Sequence, residues 1–231
     1  MDAALKLESS YFLIYANFDI NGFLEKFRIV HIYFNYQMIK AVFFDKDGTL
    51  IKDVPYNVNP DLIQLTTGAA EAAQKLKNAG WKVFVVSNQS GVARGYFRPE
   101  DLTAVWEKLN ELCGIEFDGF YFCPHYETGS VPQYSVACDC RKPKAGMLLQ
   151  AAREHNLDLK KSWMIGDHAK DIKAGESAGC QTILVSDEPN KIYNEQQSAP
   201  FVTANLSDAA NLILDNRKTN VRTEPSPAPT N

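Results

Sequence analysis

The run Val42-Phe43-Phe44-Asp45-Lys46-Asp47-Gly48-Thr49-Leu50 constrains this chain more than any other. Apolar residues lead directly into two aspartates one residue apart, then a glycine. Burying a carboxylate is costly unless it is paired or holds a metal. In an extended chain Asp45 and Asp47 point to the same side. Gly48 permits a sharp exit, and Thr49 can hydrogen-bond the turn. A solvated strand-end turn is the plain alternative, and the pattern alone does not decide between them.

Later stretches change that balance, because apolar strands alternate with amphipathic helices. Strands are expected over Ala41–Asp45, Lys82–Ser87, Phe117–Phe122, Trp163–Ile165, Thr182–Val185 and Phe201–Thr203. Helices are expected over Gly68–Ala79, from Pro99 to Gly114, over Ala145–His155 and Ala169–Ala178, and from a capping Ser207 to Leu214. This order implies an α/β fold, a parallel sheet with helices on both faces. Between strand and helix the chain has no room for a large cap domain. Only Asp53–Gln64, Val92–Phe97 and the cysteine-bearing loop can reach over the strand ends.

Ligands of such sheets sit beyond the carboxyl ends of the strands. The first strand ends in Asp45 and Asp47, and the second in Ser87-Asn88-Gln89-Ser90-Gly91. The fourth ends in Gly166-Asp167, with Asp171 four residues on, and Arg141-Lys142-Pro143-Lys144 precedes the third helix. Any one of these reads equally well as a cap, a loop or a solvated charge. Carboxylates, a hydroxyl and a lysine converging on one spot suit a hard cation and a phosphoryl group.

A second metal set is independent of the first. Cys123-Pro124-His125 and Cys138-Asp139-Cys140 supply three thiolates and one imidazole, a closed tetrahedral set for Zn2+. With four protein ligands such an ion is structural, and it would brace the loop that ends in Arg141 and Lys142. The five cysteines do not form an even disulfide framework, which points to a reducing, cytoplasmic setting.

The 231-residue chain carries a net charge of −4, which counts against a nucleic-acid surface and hence against a zinc-dependent nucleic-acid module. The apolar stretch near Tyr11–Tyr15 is too short and too charged in its flanks to span a membrane. Residues 1–37 read as a mis-assigned start or a poorly ordered extension, with Met38 a natural beginning for the first strand. Residues 38–215 read as one domain, and 216–231, polar and proline-rich, as a disordered tail.

Four stretches carry a resemblance: Phe44-Asp45-Lys46-Asp47-Gly48-Thr49, Ser87 to Gly95, Cys140-Arg141-Lys142-Pro143, and Gly166-Asp167. On these, the chain from about Met38 to Val185 resembles the haloacid dehalogenase superfamily of phosphatases, in its histidinol-phosphatase-like branch. Lys46 stands where that family commonly has arginine, and His168 where a lysine is expected. The resemblance implies a Rossmann-like domain that hydrolyses phosphomonoesters through an aspartyl-phosphate. Asp45 would be the nucleophile and Asp47 the general acid and base. Ser87 and Lys142 would hold phosphoryl oxygens, and Mg2+ would sit on Asp45, the Asp47 carbonyl and Asp167. Asp171 would orient the metal shell. Substrate contacts would come from Asp53, Tyr56, Asn88, Gln89, Ser90, Arg94, Arg141 and His168. The implied substrate is a small phosphorylated sugar, foremost a heptose 1,7-bisphosphate, with histidinol phosphate the alternative. A monomer is expected. A catalytically dead scaffold is the opposing reading, and the intact set Asp45, Asp47, Ser87, Lys142 and Asp167 argues against it.

Overall fold

Strand β1, Ala41–Asp45, is buried along its whole length. Val42 and Phe44 face one apolar core, while Ala41 and Phe43 face another. A strand covered on both sides has no solvent face, so its sequence is a continuous apolar run rather than an alternation. The structure, a computed structural model, describes residues 39–186 and 201–221, with side chains as far as residue 215. Residues 1–37, and the tail beyond Val221, lie outside the described residues.

Around β1 the sheet takes the order β3-β2-β1-β4-β5-β6, and every neighbouring pair is parallel. Its other strands are β2 Lys82–Asn88, β3 Gly119–Cys123, β4 Trp163–Gly166, β5 Gln181–Val185 and β6 Phe201–Thr203. Helices α1 Ala69–Asn78, α2 Leu102–Cys113 and α5 Leu206–Val221 pack on the face of Val42 and Phe44. Helices α3 Gly146–His155 and α4 Ala169–Ala178 cover the face of Ala41 and Phe43. The strand order reverses direction at β1 and β4. That reversal opens a crevice at their carboxyl ends, where Asp45 and Asp167 stand. Between β1 and α1 the only regular helix is the short 3-10 turn Pro60–Leu62, so no cap domain covers the crevice among the described residues.

Four expected boundaries move, each for a local reason. Strand β3 begins at Gly119 rather than Phe117. The Phe117 amide donates to Asn110 Oδ1 (2.9 Å), and the Asp118 carboxylate accepts from the Val83 amide (2.8 Å), so both residues are engaged before the ladder starts. The turn Pro99–Asp101 is 3-10, and α2 begins only at Leu102. The cap of α5 is Asn205, not Ser207: Asn205 Oδ1 accepts from the Asp208 amide (3.0 Å) while its amide nitrogen donates to the Asp208 carboxylate (2.9 Å). Ser207 lies inside the helix and donates to Glu71 (2.7 Å). Finally, α5 runs to Val221 rather than ending near Leu214. Polar residues alone do not end a helix, and neither glycine nor proline interrupts the chain there.

Candidate active site

The exit from β1 is shaped by one glycine. Gly48 has φ +85°, and a Cβ added there would fall 2.5 Å from Asp167 Oδ2. Only glycine tolerates both the left-handed backbone and that approach. The close turn lets Thr49 Oγ1 donate to Asp167 Oδ1 at 3.3 Å, so the threonine ties β1 to β4 rather than closing its own turn. Lys46 is buried and ion-paired with Asp47, a stronger role than its place between two aspartates suggested.

Lys142 is the hub of the site. Its side chain is fully buried, its ammonium donates to the Asp45 carboxylate and to Val86 O (2.9 Å), and it pairs with Asp171 at 2.8 Å. The Asn88 side chain fixes the backbone beneath it: Oδ1 accepts from the Lys142 amide and Nδ2 donates to the Lys142 carbonyl, both at 3.0 Å. Asn88 is therefore a clamp on Lys142 as well as part of the cleft wall. Asp171 grips Lys142 directly and accepts from the His168 amide (3.2 Å) at the start of α4. The pairing with Lys142 is a contact that the sequence did not suggest: a fully buried carboxylate does best where a cation is already within reach.

Asp47 faces the other side of the cleft. Gln89 Nε2 donates to its Oδ2 (3.0 Å), Ser87 Oγ donates to the same oxygen (3.4 Å), and Gln89 Nε2 also reaches Ser87 Oγ (2.7 Å). Gln89 thus orients two functional groups at once.

The electrostatics follow from this crowding. Burial, then the nearby charges of Asp171 and Asp47, push the Asp45 carboxyl up from 3.8 to about 7, although Lys142 pulls it down. Burial works against the charge on Lys142, but Asp45 and Asp171 outweigh it and move its titration upward. Four carboxylates, Asp45, Asp47, Asp167 and Asp171, share the site with only two buried lysines, Lys46 and Lys142. A surplus of hard oxygen donors at strand ends fits Mg2+, which prefers carboxylates and water. Asp167, His168 and Asp171 bring their ligand atoms within 4.8 Å of one another. His168 Nδ1 stands 2.9 Å from Asp167 Oδ2.

Asp167 lines a neighbouring cleft with Gly48 and Thr49, while Asp45, Asp47, Ser87 and Lys142 line an open cleft of about 420 Å³. Asp53, Tyr56, Asn88, Gln89, Ser90, Arg141 and His168 all line it. Arg94 does not; its guanidinium lies over the Tyr126 ring, 4.3 Å from the centroid. Lys46, Pro55, Asn57 and Lys170 also line the cleft, and sequence reasoning did not single them out as site residues. Lys170 carried a signal, as a cation two residues past His168.

The cysteine loop gathers as expected. Cys140 Sγ lies 2.9 Å from Cys123 Sγ and 3.3 Å from Cys138 Sγ, and Cys123 Sγ lies 3.6 Å from Cys138 Sγ. His125 Nδ1 is 3.2 Å from Cys140 Sγ and 3.9 Å from Cys123 Sγ. Ligands about 2.1–2.3 Å from a tetrahedral zinc are roughly 3.6–3.8 Å apart. The four atoms therefore already outline such a tetrahedron, slightly contracted, and none of the cysteines forms a disulfide.

Comparison with known proteins places these features in context. A family profile described as HAD-hydrolase-like matches residues 139–209. The D-glycero-beta-D-manno-heptose-1,7-bisphosphate 7-phosphatase of Pasteurella multocida is 40% identical over 180 residues, spanning 76% of this chain and 97% of that one. The enzyme of the same name from Haemophilus ducreyi is 44% identical over 181 residues, spanning 76% and 93%. Among solved structures, the D,D-heptose 1,7-bisphosphate phosphatase of B. bronchiseptica, complexed with magnesium and phosphate, superposes with a TM-score of 0.66 at 28% identity. It covers 77% of this chain and 99% of its own.

Proposed function

The chain belongs to the haloacid dehalogenase-like phosphatases, in the group of the heptose-1,7-bisphosphate 7-phosphatases, and from that premise we propose that it removes the 7-phosphate of D-glycero-D-manno-heptose 1,7-bisphosphate. It is an enzyme, a phosphoric monoester hydrolase. The observation that carries the substrate is the match at 40% identity to nearly the whole Pasteurella enzyme.

In this reading Asp45 is the nucleophile. One of its carboxylate oxygens attacks phosphorus, the bond from phosphorus to the sugar oxygen breaks, and an aspartyl-phosphate forms. Asp47 gives its proton to the leaving oxygen. It then takes one from the water that attacks the same phosphorus and frees Asp45. Gln89 and Ser87 hold Asp47 in position for both transfers. Lys142 and Ser87 hold phosphoryl oxygens, since phosphoryl transfer depends on positioning and charge rather than on further covalent chemistry. Asp171 and Asn88 keep Lys142 in place.

Asp45, the Asp47 carbonyl and Asp167 would hold Mg2+, which when bound offsets the charge of an anionic nucleophile meeting an anionic phosphate. Cys123, His125, Cys138 and Cys140 would hold a structural Zn2+ beside Arg141 and Lys142. Arg141, with Arg94 or His168, binds the sugar or the phosphate that is not cleaved, and Asp53, Tyr56, Asn88 and Ser90 line the sugar's path. Five cysteines without a disulfide support a reducing, cytoplasmic setting. No helix of the described residues is long and apolar enough to cross a membrane.

The test is kcat/KM on a panel. The heptose 1,7-bisphosphate should exceed both a heptose monophosphate and histidinol phosphate, and Arg141→Ala should erode that preference by about 1–3 kcal/mol, the worth of a charged hydrogen bond. A higher value for histidinol phosphate would overturn the heptose reading.

A further inference from the structure

Two arginines near the cleft carry charge that no carboxylate answers. Neither Arg94 nor Arg141 takes part in an ion pair among the described residues, and the Arg94 Nε is buried without a hydrogen-bond partner. Both guanidinium groups instead lie over one aromatic ring. Arg94 Cζ is 4.3 Å and Arg141 Cζ 5.1 Å from the centroid of Tyr126. Like charges do not gather without a reason. A ring face attracts cations, so one tyrosine can hold two guanidiniums near each other before an anion arrives.

The backbone that carries the ring is held at both ends. The Tyr126 amide donates to Tyr134 O (3.0 Å) and its carbonyl accepts from the Gly129 amide (3.0 Å), which pins the residue at both ends. The next turn binds the segment that carries Arg94: the amides of Ser130 and Val131 donate to Ala93 O (2.8 and 2.9 Å), and Ser130 Oγ donates to Arg94 O (2.8 Å). Arg141 Nη1 donates to His125 O (3.3 Å), one residue before the ring. Three separate stretches of chain, after β2, after β3 and before α3, thus meet at Tyr126.

We propose that Tyr126 is a positioning residue for substrate specificity: a platform that holds Arg141, with Arg94 as a second cation on the same ring, as a cationic subsite for the uncleaved phosphomonoester of a bisphosphate. This rests on the reading that Arg141 serves that phosphate. Of these three residues only Arg141 lines the cleft, so Tyr126 acts through Arg141, and Arg94 adds its charge from behind rather than by touching the substrate. Pre-arranged cations cost the substrate less ordering on binding, so the platform should act mainly on KM for the bisphosphate.

The experiment compares Tyr126→Leu, Tyr126→Phe, Arg141→Ala and the double variant Tyr126→Leu/Arg141→Ala. Each is assayed for kcat and KM on the heptose 1,7-bisphosphate and on a small aryl phosphate, which has no second phosphate. Tyr126→Leu should lower the ratio of the two kcat/KM values about fivefold or more, chiefly through KM for the bisphosphate. Tyr126→Phe, which keeps the ring face, should hold the wild-type ratio. The double variant should be little worse than Arg141→Ala alone, because the ring acts through the arginine. If Arg141→Ala leaves the ratio unchanged, the anion subsite fails and the platform fails with it. If Arg141→Ala lowers the ratio and Tyr126→Leu does not, the subsite stands and the platform is wrong. An equal fall on both substrates, or a Phe variant as impaired as Leu, also overturns the platform.

Discussion

Asp45→Asn should make the Mg2+-free protein more stable, although it removes an ion pair. In the folded chain the Asp45 carboxyl is raised from 3.8 to about 7, first by burial and then by Asp171 and Asp47. At about 1.4 kcal/mol per unit, ionising Asp45 costs the folded state about 4 kcal/mol at neutral pH. Asparagine resembles the neutral carboxyl and avoids that cost. It also leaves Lys142 with Asp171 as its remaining acidic partner, at 2.8 Å, which returns part of the gain. The expected net gain is about 2–4 kcal/mol, or roughly 4–16 °C in Tm for a domain of this size. The sign with pH follows from linkage. Between about 4 and about 7 the folded wild type binds more protons than the unfolded chain, so its stability falls as pH rises through that window. The difference between the two proteins should be full above about pH 7 and vanish toward pH 4. Thermal melts of both proteins, dialysed free of Mg2+ and run from pH 4 to 8, provide the assay. Adding Mg2+ should stabilise the wild type more than the variant and narrow the gap. A variant less stable than wild type at pH 8 without Mg2+ would refute this account of the Asp45 environment.

Two further outcomes are expected away from the nucleophile. Asp118 accepts from Lys77 and Lys82, both at 2.7 Å; burial opposes its charge, but these lysines and the Val83 amide hold its carboxyl below the ordinary range. Asp118→Asn should therefore cost about 1–2 kcal/mol in denaturant melts at pH 7. A depressed carboxyl contributes above its unfolded value and is lost as pH falls through the folded one, so the deficit should begin to shrink below about pH 4; a constant deficit down to pH 2 would contradict the charge-based account. Protein purified under reducing conditions should contain about one zinc per chain, and Cys138→Ser should lower both zinc content and Tm; wild-type protein without zinc would rule out the tetrahedral set.

Much of the site was legible because its residues sit where strands end. Asp45 and Asp47 follow an apolar run, Ser87 and Asn88 follow another, and Asp167 a third, so sheet topology alone brings them to one crevice. The cysteine set was legible from ligand chemistry, since three thiols and an imidazole in two close pairs have few other uses. What could not be read is which partner each charge chooses. Asp171 could have faced a metal or Lys142, and only three-dimensional packing puts it 2.8 Å from the lysine. Tyr126 carries no signal in the sequence, because its two arginines come from segments 32 residues before and 15 after it. Ser207 was expected to cap the last helix, yet Asn205 lies one residue before the first helical residue and exchanges hydrogen bonds with Asp208.

The central claim, covalent transfer of the phosphoryl group to Asp45, has one direct measurement. Asp47→Asn should still allow slow attack by Asp45 but lose the base that activates water for release. Mixed with the heptose 1,7-bisphosphate and Mg2+, then quenched in acid within one turnover and digested, it should yield the peptide carrying Asp45 heavier by one phosphoryl group, with fragmentation placing the mass on Asp45. An unmodified Asp45 peptide, or a phosphoryl group on another residue, while Asp45→Asn still turns over within tenfold of wild type, would contradict the mechanism.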